Sequence, residues 1–254
     1  MIDLIVFSVG NNRYALNIEN IQRIIQATSL TNIPNAHPLI DGMMHHEDKV
    51  IKVLSFRKLI GIDSYDTELK VLFDKLKNAH EDWIEELKNS INNGSTFTKT
   101  TDPHKCELGI WLDNFNSYDD NVSQTLKHLI DNHKHLHISG GDVLDLNEKD
   151  NQEAKNQIQT EIYDTFNKTM GDLDTFVTSI DVVANSLQKL ILYENNAEIF
   201  VIKVDNIEDI AHVEESDIIN SENNHTSGEF LELDGVLDLN GVLINVIKTV
   251  KLPK

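Results

Sequence analysis

The two ends of this 254-residue chain repeat one pattern on either side of a long central segment of different character. Tyr14–Ile24 aligns without gaps on Phe200–Ile210, and each apolar residue of the first segment meets an apolar residue of the second. A second match pairs Asp41–Leu54 with Asp234–Ile247, so the offset is 186 in the first pair and 193 in the second. Such an internal repeat restricts the two ends to related folding units.

Both copies carry the alternation that is typical of β-strands. β-branched and aromatic residues alternate with polar ones in Leu4–Val9, Arg13–Ile18 and Lys49–Phe56. Turn-forming residues separate such runs, at Gly10-Asn11-Asn12, Pro34-Asn35, Asp41-Gly42, Asn195-Asn196, Asp234-Gly235 and Asn240-Gly241. Short strands joined by turns, present twice, predict a pair of small barrels or sheets packed side by side, with a single β sandwich as the alternative.

Charge and composition exclude several classes of function. The chain has 22 Lys and Arg against 42 Asp and Glu, a formal net charge of −20 that repels nucleic acid. Its one cysteine, Cys106, has no partner for an internal disulfide. No signal-peptide pattern opens the sequence, and no apolar run approaches the ~20 residues that cross a bilayer. We therefore expect a cytoplasmic protein that binds no nucleic acid and does not insert into membranes.

A set of residues along both ends matches a known family in order and spacing. These residues are Phe7–Gly10, Tyr14–Leu16, Ile18, Ile21, Ile24, Ile25, Ile33, Pro34, Gly42, Val50, Ile51, Val53, Phe56, Arg57, Gly235, Val236, Gly241, Leu243 and Ile244. The chain resembles the CheW-like coupling domain of bacterial chemotaxis over roughly residues 1–64 and 189–254. The resemblance implies a double β-barrel with SH3-like, five-stranded lobes, no enzymatic activity, and a role in linking chemoreceptors to the histidine kinase CheA.

One loop departs from that family. Where the family carries an Asn-x-Arg-Gly turn, this chain has His45-His46-Glu47-Asp48. An exposed cation is thereby replaced by an acidic loop with two imidazoles. The loop is a solvated turn, an altered partner surface or an adventitious metal contact. The resemblance therefore does not imply that this chain contacts the kinase or a receptor through the loop.

The central segment changes its apolar period from two to three or four, which predicts helices. One stripe comprises Leu69, Phe73, Leu76, His80, Trp83, Leu87 and Ile91, and a second comprises Val122, Leu126, Leu129, His133, Leu136 and His137. A third runs from Ala154 to Leu187 and predicts one long helix. We expect an antiparallel helical bundle, in which the Gly140-Gly141 pair breaks or kinks its helix.

Three histidines fall within these apolar stripes, and their burial requires a shared partner. A buried imidazole costs desolvation energy unless its nitrogens are occupied. His133 and His137 stand four residues apart on one helical face, where both rings can chelate one ion. Cys106 follows Asp102-Pro103, a pattern typical of a helix start, and a helix N-terminus favours the thiolate. His80, Cys106, His133 and His137 together form a tetrahedral zinc set.

The same residues resemble a second family, the chemoreceptor zinc-binding (CZB) domain. The family pattern is a histidine on the first helix, a Cys-x-Leu/Phe-Gly-x-Trp box and a His-x3-His pair, here His80, Cys106–Trp111 and His133–His137. We therefore predict an α+β chain of two domains. Residues 1–66 and 189–254 form the discontinuous CheW-like scaffold, and residues 67–188 form the inserted zinc-binding bundle.

The functional hypothesis is a non-enzymatic chemotaxis adaptor whose insert senses zinc or an oxidant. Four protein ligands would close the site, and Lys134 stands where a His-Glu-x-x-His motif would place its glutamate. Several alternatives remain open: a zinc buffer, a structural-zinc module that dimerises through the long last helix, or a metallohydrolase if one ligand is misassigned. His104, His128 and His135 are the histidines that could substitute as ligands, His135 first among them.

Overall fold

The chain in the computed structural model divides into two compact units, and the structure describes residues 1–219 and 228–253. One unit combines Met1–Tyr65 with Ala184–Lys254 and is built of β-strands, and the other is the helical unit Asp66–Val183. Residues 220–227 and 254, which the sequence assigns to the β scaffold, lie outside the described residues. The predicted α+β class is confirmed.

The β unit contains two five-stranded sheets. The first has the strand order β8-β1-β2-β10-β9, from β1 (Ile2–Val9), β2 (Asn12–Asn17), β8 (Asn206–Val213), β9 (Leu231–Leu239) and β10 (Val242–Val250). The second has the order β3-β6-β7-β5-β4, from β3 (Ile21–Gln26), β4 (Ile40–His46), β5 (Lys49–Ser55), β6 (Lys189–Asn195) and β7 (Glu198–Val204). A shared core joins the sheets, centred on the stacked and edge-on rings of Phe7, Tyr14 and Phe56.

The two copies of the repeat exchange strands between these sheets. The N-terminal copy supplies β1 and β2 to the first sheet and β3 to β5 to the second, and the C-terminal copy does the reverse. Each sheet is joined across the copies by one parallel pair, with Ala15 opposite Val246 in the first and Val53 opposite Val201 in the second. Neither copy completes a sheet by itself, so the two ends of the chain have to fold together.

The predicted closure of each lobe into a barrel is wrong for the described residues. The edge strands β8 and β9 of the first sheet, and β3 and β4 of the second, each pair with one strand only. The alternation of apolar residues predicts strands and the faces they bury, but it carries no information on whether two edge strands meet. The lobes are therefore two open sheets.

The helical unit contains α2 (Tyr65–Asn93), α3 (Glu107–Asn114), α4 (Asp120–Asn147), α5 (Asn151–Gln157) and α6 (Tyr163–Thr178), while α1 (Phe56–Leu59) precedes it. α6 runs antiparallel to α2, since Phe73 meets Phe176 and Lys88 lies over the ring of Tyr163. α2 and α4 run parallel to each other, since His80 meets His133 and, further along both helices, Trp83 lies against Gly140. In this arrangement the ring of His80 on α2 lies beside the rings of His133 and His137 on α4.

The last apolar stripe is divided among several elements instead of one long helix. A π-helical turn, Ile158–Ile162, separates α5 from α6, and Ser179 leaves the helical conformation before α7 (Ile180–Leu187). Ala154, Ile158 and Ile162 recur every fourth residue. Because a regular α-helix has about 3.6 residues per turn, residues at this spacing gradually move off one face of the helix. The wider π turn keeps all three buried.

A buried ion pair in the β unit fixes both connections to the central segment. The Arg57 guanidinium, 3% exposed, donates to the Asp205 carboxylate through Nε and Nη2 over 2.6 to 3.0 Å. The same guanidinium lies 4.5 Å from the ring centroid of Tyr65, and Gln188 donates to the same carboxylate at 3.1 Å. Tyr65 ends the N-terminal part of the β unit, and Gln188 lies near the start of its C-terminal part, just before β6. The Arg57–Asp205 pair therefore contacts one residue at each connection.

Candidate metal centre

Four side chains converge inside the helical unit. His80 is on α2, Cys106 immediately precedes α3, and His133 and His137 are on α4. One donor atom from each lies within 4.8 Å of the other three. The three histidines are 4%, 2% and 0% exposed, while Cys106 is half-buried. In the part of the chain that the structure describes, this is the one group of histidine, cysteine and carboxylate residues placed to hold a metal.

The spacing of the donors fits a tetrahedral zinc ion. Zn–N and Zn–S bonds of about 2.1 and 2.3 Å place the ligand atoms about 3.3 to 3.6 Å apart in a tetrahedron. Nε2 of His80 and Nε2 of His137 are 3.4 Å apart. The Cys106 sulfur lies 3.1 Å from Nε2 of His133 and 3.9 Å from Nε2 of His80. One sulfur and three imidazole nitrogens are also the donor types that select zinc.

Backbone carbonyls set the tautomers of two of the rings. His80 Nδ1 is 2.8 Å from the Leu76 carbonyl oxygen, and His137 Nδ1 is 3.2 Å from that of Thr100. A carbonyl oxygen only accepts hydrogen bonds, so both Nδ1 atoms carry the proton and both Nε2 atoms carry a lone pair. Two lone pairs that face each other in a buried site repel, and a cation bound by both would replace this repulsion with attraction. Such carbonyl partners are typical of zinc-binding histidines.

Burial keeps the imidazoles neutral, which is the state that coordinates a metal. Burial, with repulsion from His137 and His80, lowers the pKa of His133 to about 2. Burial, with repulsion from His80, lowers the pKa of His137 to about 4, and burial also lowers the pKa of His80. Burial raises the pKa of the Cys106 thiol, so zinc binding has to displace the thiol proton.

Gly109 explains why the cysteine box contains a glycine. Cys106 is the N-cap of α3, and its sulfur accepts a hydrogen bond from the Gly109 amide at 3.2 Å. A Cβ on Gly109 would lie 1.7 Å from the Pro103 carbonyl oxygen and 3.2 Å from Cε1 of His133. A side chain at this position would therefore push apart the loop that carries the cysteine and the helix that carries His133.

The remaining histidines that could have replaced a ligand lie elsewhere. His104 is 2.8 Å from Asp113 on the surface, and His135 is an exposed residue 3.8 Å from Glu161. His128 is exposed on α4. In the β unit, His45 and His46 end the edge strand β4 before a turn in which Glu47 has a φ of 53°, and they belong to no metal-binding group among the described residues.

Sequence reasoning missed the groups that support the ligands. Trp83 is interpreted from the sequence as a packing residue, yet its indole nitrogen donates to the Thr100 carbonyl at 2.8 Å. The predicted break at Gly140-Gly141 is wrong, because α4 continues through both glycines. A Cβ on Gly140 would lie 2.3 Å from the Trp83 ring, so this glycine provides space for the indole. The sequence signal that could have revealed these supporting residues is their spacing from the ligands. Trp83 follows His80 by three residues, and Gly140 follows His137 by three.

Comparison with known proteins identifies two families in the chain. A family model described as the CheW-like domain matches residues 3–76, and one described as the chemoreceptor zinc-binding domain matches residues 80–144. Both expected resemblances are therefore confirmed for the matched residues, and the second family is described as zinc-binding. Residues 189–254, where the CheW-like resemblance is also expected, lie outside these two matches. Both families are non-catalytic. None of the helices that the structure describes combines the length and apolar content of a membrane span.

Individual relatives are distant. The chemotaxis protein CheW of Thermotoga maritima is 21% identical over 68 residues, which are 27% of this chain and 45% of that protein. The match thus spans less than half the length of this relative. Among solved structures, the scaffolding protein TtCheW of Thermoanaerobacter tengcongensis is similar with a TM-score of 0.46 and 12% identity, covering 98% of this chain and 90% of that one.

Proposed function

We propose that this chain, in which a CheW-like domain is combined with a chemoreceptor zinc-binding domain, is a cytoplasmic chemotaxis adaptor. In this role it links chemoreceptors to the histidine kinase CheA through the β unit. Zinc held by His80, Cys106, His133 and His137 sets the state of the helical unit. The observation that carries the proposal is the convergence of these four donors in a helical unit whose chain interrupts the CheW-like scaffold.

The connections of the helical unit support coupling between zinc and the scaffold. Each sheet contains strands from both sides of the interruption, and the parallel pairs β2–β10 and β5–β7 join them. Tyr65 and Gln188, one at each connection, both contact the buried Arg57–Asp205 pair. A change in the helical unit that moves either connection therefore acts on residues inside the β unit core. A ligand-driven switch requires such a path from the ligand site to the element on which it acts.

A non-enzymatic role fits the donor set. Catalytic zinc keeps one coordination position for water or substrate, and structural zinc is closed by four protein ligands. Four donor atoms of this chain lie within 4.8 Å of one another. Zinc bound by all four would have its tetrahedral positions filled by protein ligands, which supports a non-catalytic role.

An oxidant would act at Cys106. The three histidines are almost fully buried, whereas Cys106 is half-buried and is the ligand that solvent reaches. Hypochlorous acid converts a thiolate into a sulfenic acid and releases chloride, and the two electrons pass from sulfur to chlorine. The Cys106 sulfur then no longer carries the negative charge that makes it a strong zinc ligand.

Binding of CheA and of a chemoreceptor signalling fragment tests the adaptor function. We expect the zinc-loaded chain to bind both, and chelation or stoichiometric hypochlorous acid to change at least one affinity by about 5- to 150-fold, the range of ordinary allosteric coupling. Cys106→Ser should abolish the response to the oxidant.

Two results would contradict the proposal. Absence of binding in both states would exclude the adaptor role. Equal binding by the loaded and metal-free chains would instead support a zinc buffer or a structural zinc, and sedimentation of both forms would then test the predicted homodimer.

A further inference from the structure

Trp83 contacts the metal-site histidine His137 in two ways. The ring centroids of Trp83 and His137 are 5.0 Å apart, so the indole packs against the imidazole. The indole N–H also donates to the Thr100 carbonyl at 2.8 Å, and this carbonyl accepts the Nδ1–H of His137 at 3.2 Å. One carbonyl thus connects the indole donor with the imidazole donor, and all three groups are held in one chain of hydrogen bonds.

The Thr100 carbonyl belongs to a segment without helix or strand. Residues 94–105 lie between α2 and Cys106, so no regular backbone ladder holds the carbonyl in place. Thr100 is also tied to the next turn, because its hydroxyl oxygen accepts a hydrogen bond from the Asp102 amide at 3.0 Å. The position of Thr100 therefore affects both the tautomer of His137 and the loop that delivers Cys106.

Space for the indole exists because α4 has no side chain at position 140. A Cβ on Gly140 would lie 2.3 and 2.8 Å from two carbons of the Trp83 ring. At the neighbouring Gly141, a Cβ would meet Thr101 at an ordinary 3.6 Å. A side chain at Gly140 would therefore clash with the Trp83 indole, whereas a side chain at Gly141 would not.

We infer that Trp83 is a positioning residue of the zinc site, acting through the Thr100 carbonyl. Its indole N–H fixes the carbonyl, the carbonyl keeps the proton of His137 on Nδ1, and Nε2 of His137 consequently points its lone pair at the other donors. This role rests on the proposed zinc ligands but is independent of any partner protein. Loss of such an outer hydrogen bond typically costs 10- to 100-fold in metal affinity.

The test is zinc affinity of the full chain, measured by competition with a chromophoric chelator. Trp83→Phe keeps an aromatic ring but removes the N–H donor, and we expect zinc affinity to fall about 10- to 100-fold. The matched control is Tyr163→Phe, which also keeps an aromatic ring and removes its polar group; Tyr163 lies on α6 beside Lys88, belongs to neither the ligand set nor the cysteine box, and its substitution should leave the affinity unchanged. Nitrogen NMR of the zinc-loaded chain should show the Nδ1 proton of His137 exchanging faster in Trp83→Phe only.

A second pair of variants covers the case in which Trp83→Phe fails to fold. Gly140→Ala and Gly141→Ala gain equal helix propensity, but only the first forces the indole away. We expect weaker zinc binding in Gly140→Ala alone. Equal zinc affinity and equal Nδ1 proton exchange in Trp83→Phe and Tyr163→Phe would overturn the positioning role. Absence of zinc binding in the unaltered chain would instead refute the ligand set itself.

Discussion

Replacing His133 by alanine is expected to remove tight zinc binding and to destabilise the helical unit. A structural zinc site of four ligands contributes about 10–16 kcal/mol as an upper guide, so one ligand accounts for on the order of 3 kcal/mol, roughly a hundredfold in affinity. His133 is 2% exposed and its Nε2 lies 3.1 Å from the Cys106 sulfur, so the substitution also leaves a cavity beside the thiol.

Calorimetry of the full chain, with and without a chelator, measures this effect. Chelation should lower the unfolding temperature of the helical unit. The unfolding temperature of His133→Ala, even before chelation, should be close to that of the chelated unaltered chain. His135→Ala is the matched control, because His135 is on the same helix but exposed beside Glu161. If the two variants bound zinc equally and responded alike to chelation, His133 would not be a ligand.

Replacing Asp205 by asparagine has the second large expected effect, this time in the β unit. The change deprives the buried Arg57 guanidinium of the carboxylate that it binds at 2.6 Å. Breaking a buried pair by removing one partner costs about 3–5 kcal/mol, because the other charge stays out of water. The substitution also weakens the acceptor shared by Gly10 and Gln188.

Denaturant unfolding of the β unit checks this prediction against an exposed ion pair. Glu208→Gln removes the charged partner of Arg13 in a pair whose side chains are 42% and 27% exposed. The free energy of unfolding should fall by no more than about 1 kcal/mol in this variant. A loss of stability in Asp205→Asn no larger than in Glu208→Gln would show that the buried pair does not hold the two connections.

The convergence of the four candidate ligands could be predicted because the sequence signals for it are local. The four-residue spacing of His133 and His137 places both rings on one face of a helix whatever the fold, and the apolar stripe of α2 predicts that His80 is buried. Cys106 could be recognised as a candidate ligand because it is the one cysteine of the chain and precedes a helix. The repeat at the two ends could likewise be recognised by aligning two segments of the sequence, without knowing how the strands pair.

The parts that sequence reasoning missed depend on distant neighbours. The pairing of Ala15 with Val246 joins residues from opposite ends of the chain, and alternation alone does not choose a partner strand. Glycine propensity predicts a break at Gly140, but the helix is continuous there, and the missing side chain provides space for Trp83. The predicted domain boundaries at residues 66 and 189 remain a proposal, beside the division of the structure at Tyr65 and Ala184.

X-ray absorption spectroscopy of the purified chain, with zinc quantified on the same sample, tests the central claim most directly. We expect one zinc per chain bound by one sulfur and three imidazole nitrogens, and loss of the sulfur contribution in Cys106→Ser. A zinc shell without sulfur in the unaltered chain, or no stoichiometric zinc at all, would contradict the assignment of His80, Cys106, His133 and His137 as the metal centre.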